Sequence, residues 1–169
     1  ENFIKIKNIK NLKKIKGKIF FRYCDIRRDD LLEEIFLEFK NLSMPVSAVI
    51  HFAGLKSVNE SVLDPLRYWD VNVNITLSLL KVMKKFSCFN LVFSSSATIY
   101  KATSNKKLDE SASLSPINAY GNSKLTIERI LNDLHNSESS SWRIINLRYF
   151  NPVGCHESGF IGETPKGKP

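Results

Sequence analysis

Glycine is scarce in this chain. There are seven in 169 residues, and none precedes Gly17. A glycine-rich turn that cradles a phosphate at a helix start therefore has no place ahead of the first strand-like run. Cysteine is nearly as rare. Cys24, Cys88 and Cys155 stand far apart, form no C-x-x-C pair, and lack a histidine at ligand spacing apart from the adjacent His156. An odd count with no framework excludes a disulfide scaffold, gives no metal site, and points to a reducing, cytoplasmic setting. No apolar run approaches the length of a membrane-spanning helix. The start, ENFIKIKNIKNLKKIKGK, is too polar for a signal peptide and carries no initiator Met. The chain is thus expected to be a piece of a longer protein.

Charge is unevenly placed. The net charge is +8, but residues 1–18 hold seven lysines against one acid, and the remainder is near balance. Such a segment suits either an acidic partner or a solvated surface. With no aromatic beyond Phe3, it reads as solvated surface, without nucleic acid or membrane as partner.

The rest has an ordinary globular composition, with 43% hydrophobic and 25% charged residues. KIFFRYCDI (18–26) is β-branched and aromatic and reads as a strand. RRDDLLEEIFLEFK follows, with Leu31, Leu32, Ile35, Phe36 and Phe39 at helical spacing. AVIHFAG (48–54) and NLVFSSS (90–96) read as strands buried on both faces. Asp64-Pro65 opens a long helix whose apolar stripe is assigned to Leu66, Trp69, Val73, Leu77, Leu80 and Met83. A further helix runs from Ala119 to about His135, and RIINLRYF (143–150) closes the series as a strand. The alternation predicts an α/β fold with a Rossmann-like, doubly wound parallel sheet and helices on both faces.

Ligands of such sheets lie at the carboxyl ends of the strands. Those ends offer Asp25-Ile26, Phe52-Ala53-Gly54, Ser94-Ser95-Ser96 and Tyr149-Phe150-Asn151. On the helix that follows the serines, Tyr120 and Lys124 share a face at i and i+4, a row expected to continue through Ile127 and Leu131. A free tyrosine is a poor base at pH 7. One positive charge about 6 Å away favours its phenolate by roughly 3 kcal/mol, or about 2 pKa units. Set against burial, a second such charge would bring it to about 6–8, the range of a general acid/base. Y-x-x-x-K alone also fits a surface pair. Its place at a helix start, after a serine-ending strand, favours catalysis. His51, within an apolar strand, reads as a core histidine, and Cys24 as strand packing.

HFAGLKSVNESVLDPLRYWDVNVN, FSSSATIY, AYGNSK and LRYFNPVGCHESGFIGE together resemble the extended short-chain dehydrogenase/reductases, in the NAD-dependent epimerase/dehydratase family. The resemblance covers nearly the whole chain from Phe20. Within that family it is greatest to the branch that interconverts UDP-glucose and UDP-galactose through a 4-keto sugar. It implies NAD as a bound cofactor, a UDP-hexose as substrate and a homodimer. Tyr120 would take the C4 hydroxyl proton, Lys124 would hold the nicotinamide ribose, and Ser96 would hydrogen-bond the C4 oxygen. Asp25 and Ile26 would flank the adenine. Phe52, Ala53, Gly54, Leu55, Lys56, Asn72, Ser94 and Phe150 would complete the cofactor contacts. Lys56, Tyr149 and Asn151 would join Ser96 and Tyr120 on the substrate side. The dimer would pair helices 64–86 and 119–135, with Ile75, Leu79 and Val82 facing outward.

The sequence departs from that pattern in places. The phosphate cradle and the acid for the adenosine ribose are missing, as is the smaller uridine-gripping lobe, so 1–169 reads as a partial NAD-binding domain with the catalytic residues. The isolated chain is then expected to be inactive. Val71 stands where the family more often has Asn. Nucleotide-sugar 4,6-dehydratases place an Asp-Glu pair where this chain has Ala97 and Thr98, which disfavours elimination. A related epimerase acting on other UDP-sugars and a non-catalytic truncated product stay as alternatives.

Overall fold

The computed structural model describes residues 19–102, 107–137 and 141–154. It divides into a unit Cys24–Phe150 and a second unit drawn from Glu1–Tyr23 and Asn151–Pro169. In the second unit only residues 19–23 and 151–154 are described, and they form neither helix nor strand. The Lys-rich start, Cys155 and His156 lie outside the described residues.

The expected first strand is absent from 19–26. Asp25 instead closes a turn: its carbonyl accepts Arg28 N–H at 2.9 Å and its carboxylate accepts Arg27 N–H at 3.0 Å. A short acidic side chain offers the backbone a local partner, and strand-prone residues become a strand only when a ladder takes up their N–H groups. Helix α1, Asp29–Asn41, then starts with Asp29 and Asp30 at its positive end and finishes near Lys40 at its negative end. It buries Leu32 and Phe36, with Leu31, Ile35 and Phe39 half-buried, as the spacing predicts.

Strand β1, Val49–His51, is shorter than expected. A short helix α2, Val58–Leu63, follows, capped by Ser57, whose hydroxyl accepts Glu60 N–H at 3.3 Å. Asp64 caps the long helix α3, Pro65–Lys85, accepting Arg67 N–H, with Pro65 in the first turn. The assigned α3 stripe needs correction. Leu66 is 79% exposed and Trp69 37%, whereas Leu80 and Met83 are buried as assigned, together with Tyr68, Asn72, Ile75, Thr76, Leu79 and Val82. The inward row runs 68, 72, 75, 79 and 82–83. Polar Asn72 and Thr76 interrupt its apolar pattern.

Strand β2, Asn90–Ser96, runs into a 3-10 turn, Ala97–Ile99. Helix α4, Ala119–Ser137, and strand β3, Arg143–Tyr149, complete the unit. The sheet has the order β1-β2-β3, and both pairs are parallel. Its register aligns Val49, Leu91 and Ile144, and next to them Ile50, Val92 and Ile145.

The two faces differ. Leu91 and Phe93 of β2 join one core with Leu32 and Phe36 of α1, Leu79, Val82 and Met83 of α3, and Ile127 and Leu131 of α4. On the alternate positions Ile50 is 65% exposed and Ile145 57%. Among the described residues the helices therefore cover one face, not both. The strands alternate with period two and are not buried on both sides.

Candidate active site

Strand β2 and helix α4 meet at the carboxyl end of the sheet. Asn118 starts α4: its side-chain oxygen accepts Gly121 N–H at 2.8 Å, an N-cap bond. That cap fixes Tyr120 in the first turn. Gly121 lets the turn come close, because a Cβ there would lie 2.8 Å from both Pro116 Cβ and the Thr98 carbonyl oxygen. The half-buried Tyr120 ring packs edge-on against the fully buried Tyr68, with centroids 6.4 Å apart and planes at 85°. Tyr68 donates its hydroxyl to Glu60 at 3.0 Å, and burial together with that carboxylate pushes it up to about 12.

One turn on, Lys124 is 5% exposed. Its Nζ donates to the Ser94 carbonyl at 2.9 Å, and lies 4.8 Å from the Phe93 ring centre and 5.9 Å from that of Tyr120. Burial lowers it to about 8, so it is still mostly charged at neutral pH.

Ser96 is 7% exposed and caps the 3-10 turn. Its Oγ accepts from Thr98 N at 3.2 Å and from Thr98 Oγ1 at 2.9 Å. With those two bonds accepted, its own proton is left to donate elsewhere. Tyr149 lies opposite Ser96 in the β2–β3 register. Its ring is 6.0 Å from Phe52, at the end of β1.

The stretch after β1 is held by Asn72. Its Oδ1 accepts Leu55 N–H at 2.8 Å, and its Nδ2 donates to the Leu55 carbonyl and to Ser123 Oγ, each at 3.1 Å. Both Nδ2 hydrogens are committed within the chain, so Asn72 serves as a bolt between loop, α3 and α4. Gly54, at φ +151°, is needed here: a Cβ on it would sit 3.0 Å from Asn72 Oδ1 and 3.9 Å from Lys124 Nζ. Ala53 and Leu55 are half-buried and Lys56 is exposed.

Other expected residues stand apart. Asp25 lines an open polar cleft with Arg27, Arg28, Asp70 and Asn74. Its hydrogen bonds from Arg27 hold the carboxyl down to about 2. Ile26 packs at the edge of the core. Phe150 is 63% exposed. Asn151 falls in the second unit and is exposed. His51 is a core histidine, as expected: it is 3% exposed, with Nε2 3.0 Å from Thr76 Oγ1. Thr76 donates its hydroxyl to the Asn72 carbonyl, so the imidazole Nε2–H is the donor. Burial, and secondarily Lys124, lowers His51 to about 4.

Sequence reasoning missed a buried polar cluster one turn past Lys124. Glu128 of α4 meets Ser95 of β2 and Arg148 of β3. The signal was available, since positions 120, 124 and 128 share a face, but the row was continued through Ile127 instead.

The NAD dependent epimerase/dehydratase family matches residues 3–164 of the chain. UDP-glucose 4-epimerase 2 of Arabidopsis thaliana is 48% identical over 166 residues, covering 96% of this chain and 46% of that protein. A bifunctional UDP-glucose 4-epimerase and UDP-xylose 4-epimerase of Pisum sativum is 48% identical over 149 residues, 88% of this chain and 41% of its own length. The chain thus spans less than half the length of these curated relatives. Among solved structures, the Bifidobacterium longum UDP-glucose 4-epimerase in complex with NAD+ and UDP superposes with a TM-score of 0.86 at 46% identity. That match covers 96% of this chain and 47% of the other. A Stenotrophomonas maltophila UDP-glucose 4-epimerase with NAD and formylated UDP-arabinopyranose gives 0.83 at 37% identity, covering 97% and 46%.

Proposed function

The chain belongs to the NAD dependent epimerase/dehydratase family, and on that footing we propose that its protein interconverts UDP-glucose and UDP-galactose with NAD as cofactor. The observation that carries this reading is Lys124 set between the Tyr120 ring and the Ser94 carbonyl at the end of β2, with Ser96 two residues on in the same strand and Thr98 turned onto it. A dehydratase would need a carboxylic acid at Ala97 or Thr98 to protonate a leaving hydroxyl, and neither residue supplies one.

The residues suit a dinucleotide. Gly54 keeps the backbone bare of a side chain where Asn72 and Lys124 Nζ converge. Phe52, Ala53, Leu55, Lys56 and Phe150 would hold the cofactor around it, with Ser94, Tyr120 and Lys124 at its nicotinamide end. Bound NAD supplies a hydride acceptor and donor. Tyr120 takes the proton from the sugar's C4 hydroxyl as a general base and returns it in the reverse sense. Ser96 donates its free proton to the C4 oxygen and keeps that oxygen within reach of Tyr120. Lys124 places its ammonium 5.9 Å from the Tyr120 ring centre and holds the nicotinamide ribose. Tyr149 borders the sugar nucleotide. Asp25 receives the adenine amine once it swings from Arg27, a small cost for an exposed pair.

A homodimer is part of the proposal, through a different surface from the one expected. Ile75, Leu79 and Val82 are buried in the chain's own core. The groove between α3 and α4 is lined instead by half-buried Leu77, Ile130 and Leu134, with Lys81 and Asp133 at its rim. An apolar groove bordered by both charge signs suits pairing with its own copy. No helix of the described residues is long and apolar enough to cross a membrane. Cys24 and Cys88 are unpaired thiols, which favours the cytoplasm.

The test is an assay of the full-length protein with UDP-glucose, UDP-galactose, UDP-xylose and UDP-N-acetyl sugars. Interconversion of the two hexoses, lost in Tyr120→Phe, is expected. Release of a 4-keto-6-deoxy sugar, or turnover of neither hexose, would overturn the reading.

A further inference from the structure

Helix α4 carries Tyr120, Lys124 and Glu128 four residues apart, and Lys124 and Glu128 are both buried, at 5% and 6% exposure. The Glu128 carboxylate holds two strands. Its Oε1 accepts from Ser95 Oγ on β2 at 2.5 Å. Arg148 on β3 approaches both oxygens, with Nε at 3.1 and 3.3 Å and Nη2 at 2.8 Å. The guanidinium also reaches the loop after the 3-10 turn, donating Nη1 to the Tyr100 hydroxyl at 3.0 Å and to the Glu110 carbonyl at 3.3 Å. Its proton is held well above the usual arginine range, chiefly by the Glu128 hydrogen bonds.

The register gives this cluster its meaning. Ser95 lies opposite Arg148, and Ser96 lies opposite Tyr149. One carboxylate therefore grips the two residues that immediately precede Ser96 and Tyr149, and it does so from the helix that bears Tyr120 and Lys124. A buried ion pair is a poor way to gain stability, since desolvation offsets most of the attraction. What it supplies is direction: a bidentate guanidinium and a short hydroxyl bond admit few arrangements. Apolar packing at the same place would tolerate sliding of strand against helix.

We propose that Glu128 and Arg148 are positioning residues for the reaction, a clamp that sets the ends of β2 and β3 against α4 and so fixes the distance from Ser96 to Tyr120. The inference rests on the epimerase reading above. A displacement of about 1 Å between reacting groups costs up to about a hundredfold in rate.

The experiment uses the full-length, NAD-loaded protein and compares Glu128→Gln, Arg148→Lys, Ser95→Ala and Tyr100→Phe. Rates are taken per folded, NAD-containing molecule, so that loss of protein is separated from loss of geometry. Glu128→Gln and Arg148→Lys are expected to lower kcat about tenfold to a hundredfold with KM changed less than about threefold. Ser95→Ala and Tyr100→Phe each remove one hydrogen bond, and are expected to lower kcat about threefold or more. If the first two variants fail to fold, this milder pair decides. Tyr120 ionisation, read as the absorbance difference from Tyr120→Phe, is the second measurement. Lys124 and Tyr68 are the titratable groups beside its ring, and the clamp variants are expected to shift its midpoint. Wild-type kcat and an unshifted midpoint in the folded variants would overturn the clamp. An inactive wild-type protein would overturn the epimerase reading alone, and the midpoint shift would still judge the clamp.

Discussion

Gly121→Ala is a sharp test of how α4 is seated, because two effects of opposite sign compete at that position. Gly121 is the third residue of α4 and has no positive φ. On helix propensity alone, alanine should stabilise by about 1 kcal/mol. The structure sets a steric cost against that gain. The new Cβ would lie 2.8 Å from Pro116 Cβ and 2.8 Å from the Thr98 carbonyl oxygen. Carbon pairs sit comfortably at about 3.5–4.0 Å, so about 1 Å of relief is needed against the proline. Neither neighbour is a flexible side-chain end: one is a ring atom and the other is backbone. Overpacking of that kind costs about 1–3 kcal/mol. The net expectation is a loss of up to about 2 kcal/mol, with the first turn of α4 displaced.

The displacement has a second consequence, since that turn carries Tyr120 and the Thr98 segment holds Ser96. Parting them by a fraction of an ångström should lower kcat at least about tenfold, with little change in KM. Equilibrium denaturation and steady-state kinetics of the full-length protein measure the two effects. A variant stabilised by about 1 kcal/mol with unchanged kcat would show that propensity rules this position, and would refute the close-approach argument.

Three further outcomes follow from the same structure. His51 is neutral in the fold, lowered to about 4, so stability is lost as pH falls from about 6.5 towards 4, by up to roughly 3 kcal/mol; denaturation curves across that range should show the slope, and His51→Gln should flatten it. Lys124, lowered to about 8, costs stability below pH 8, and that cost is relieved as pH rises towards 10.5. Lys124→Met should therefore stabilise at pH 7 by about 1–2 kcal/mol while turnover falls at least a hundredfold, about the scale of one lost acid/base contribution; a destabilised or active variant would contradict this. Leu134→Lys places a charge in the apolar groove of α3 and α4 and should give a monomer in sedimentation at micromolar concentration, whereas an unchanged dimer would move the interface elsewhere.

What could be read from the sequence was local. Asn118, Tyr120 and Lys124 lie within one helical turn or so, and Ser94–Ser96 close a strand whose ending is written in its own residues. The i, i+4 rule therefore placed Tyr120 and Lys124 together, and the parallel order followed from alternating elements. The α3 stripe failed for a physical reason. Its inward row includes Asn72 and Thr76, which are buried because each has partners, and hydrophobic periodicity has no means to mark a satisfied polar residue. The apolar residues at 66 and 69 were then placed in the stripe although they are exposed, while its later members Leu80 and Met83 do reach the core. The strand expected at 18–26 failed because propensity cannot supply a ladder, and Asp25 found a local bond instead.

The same limit explains why the partners of Glu128 could not be named from the sequence, although its place on the face of Tyr120 and Lys124 could. Lys124 stands four residues from Tyr120, whereas Glu128 meets Ser95, 33 residues before it, and Arg148, 20 after it. A lone glutamate on an apolar helix face reads as an error in the pattern until the strands are set beside it. Yet the buried polar residues are concentrated here: Asn72, Ser95, Ser96, Ser123, Lys124 and Glu128 are all buried and all hydrogen-bonded. Each carries a desolvation cost that an apolar residue would avoid. A fold built for stability alone would place such residues elsewhere. Their convergence where β2 meets α4 marks the place at which this chain gives up stability for fixed geometry.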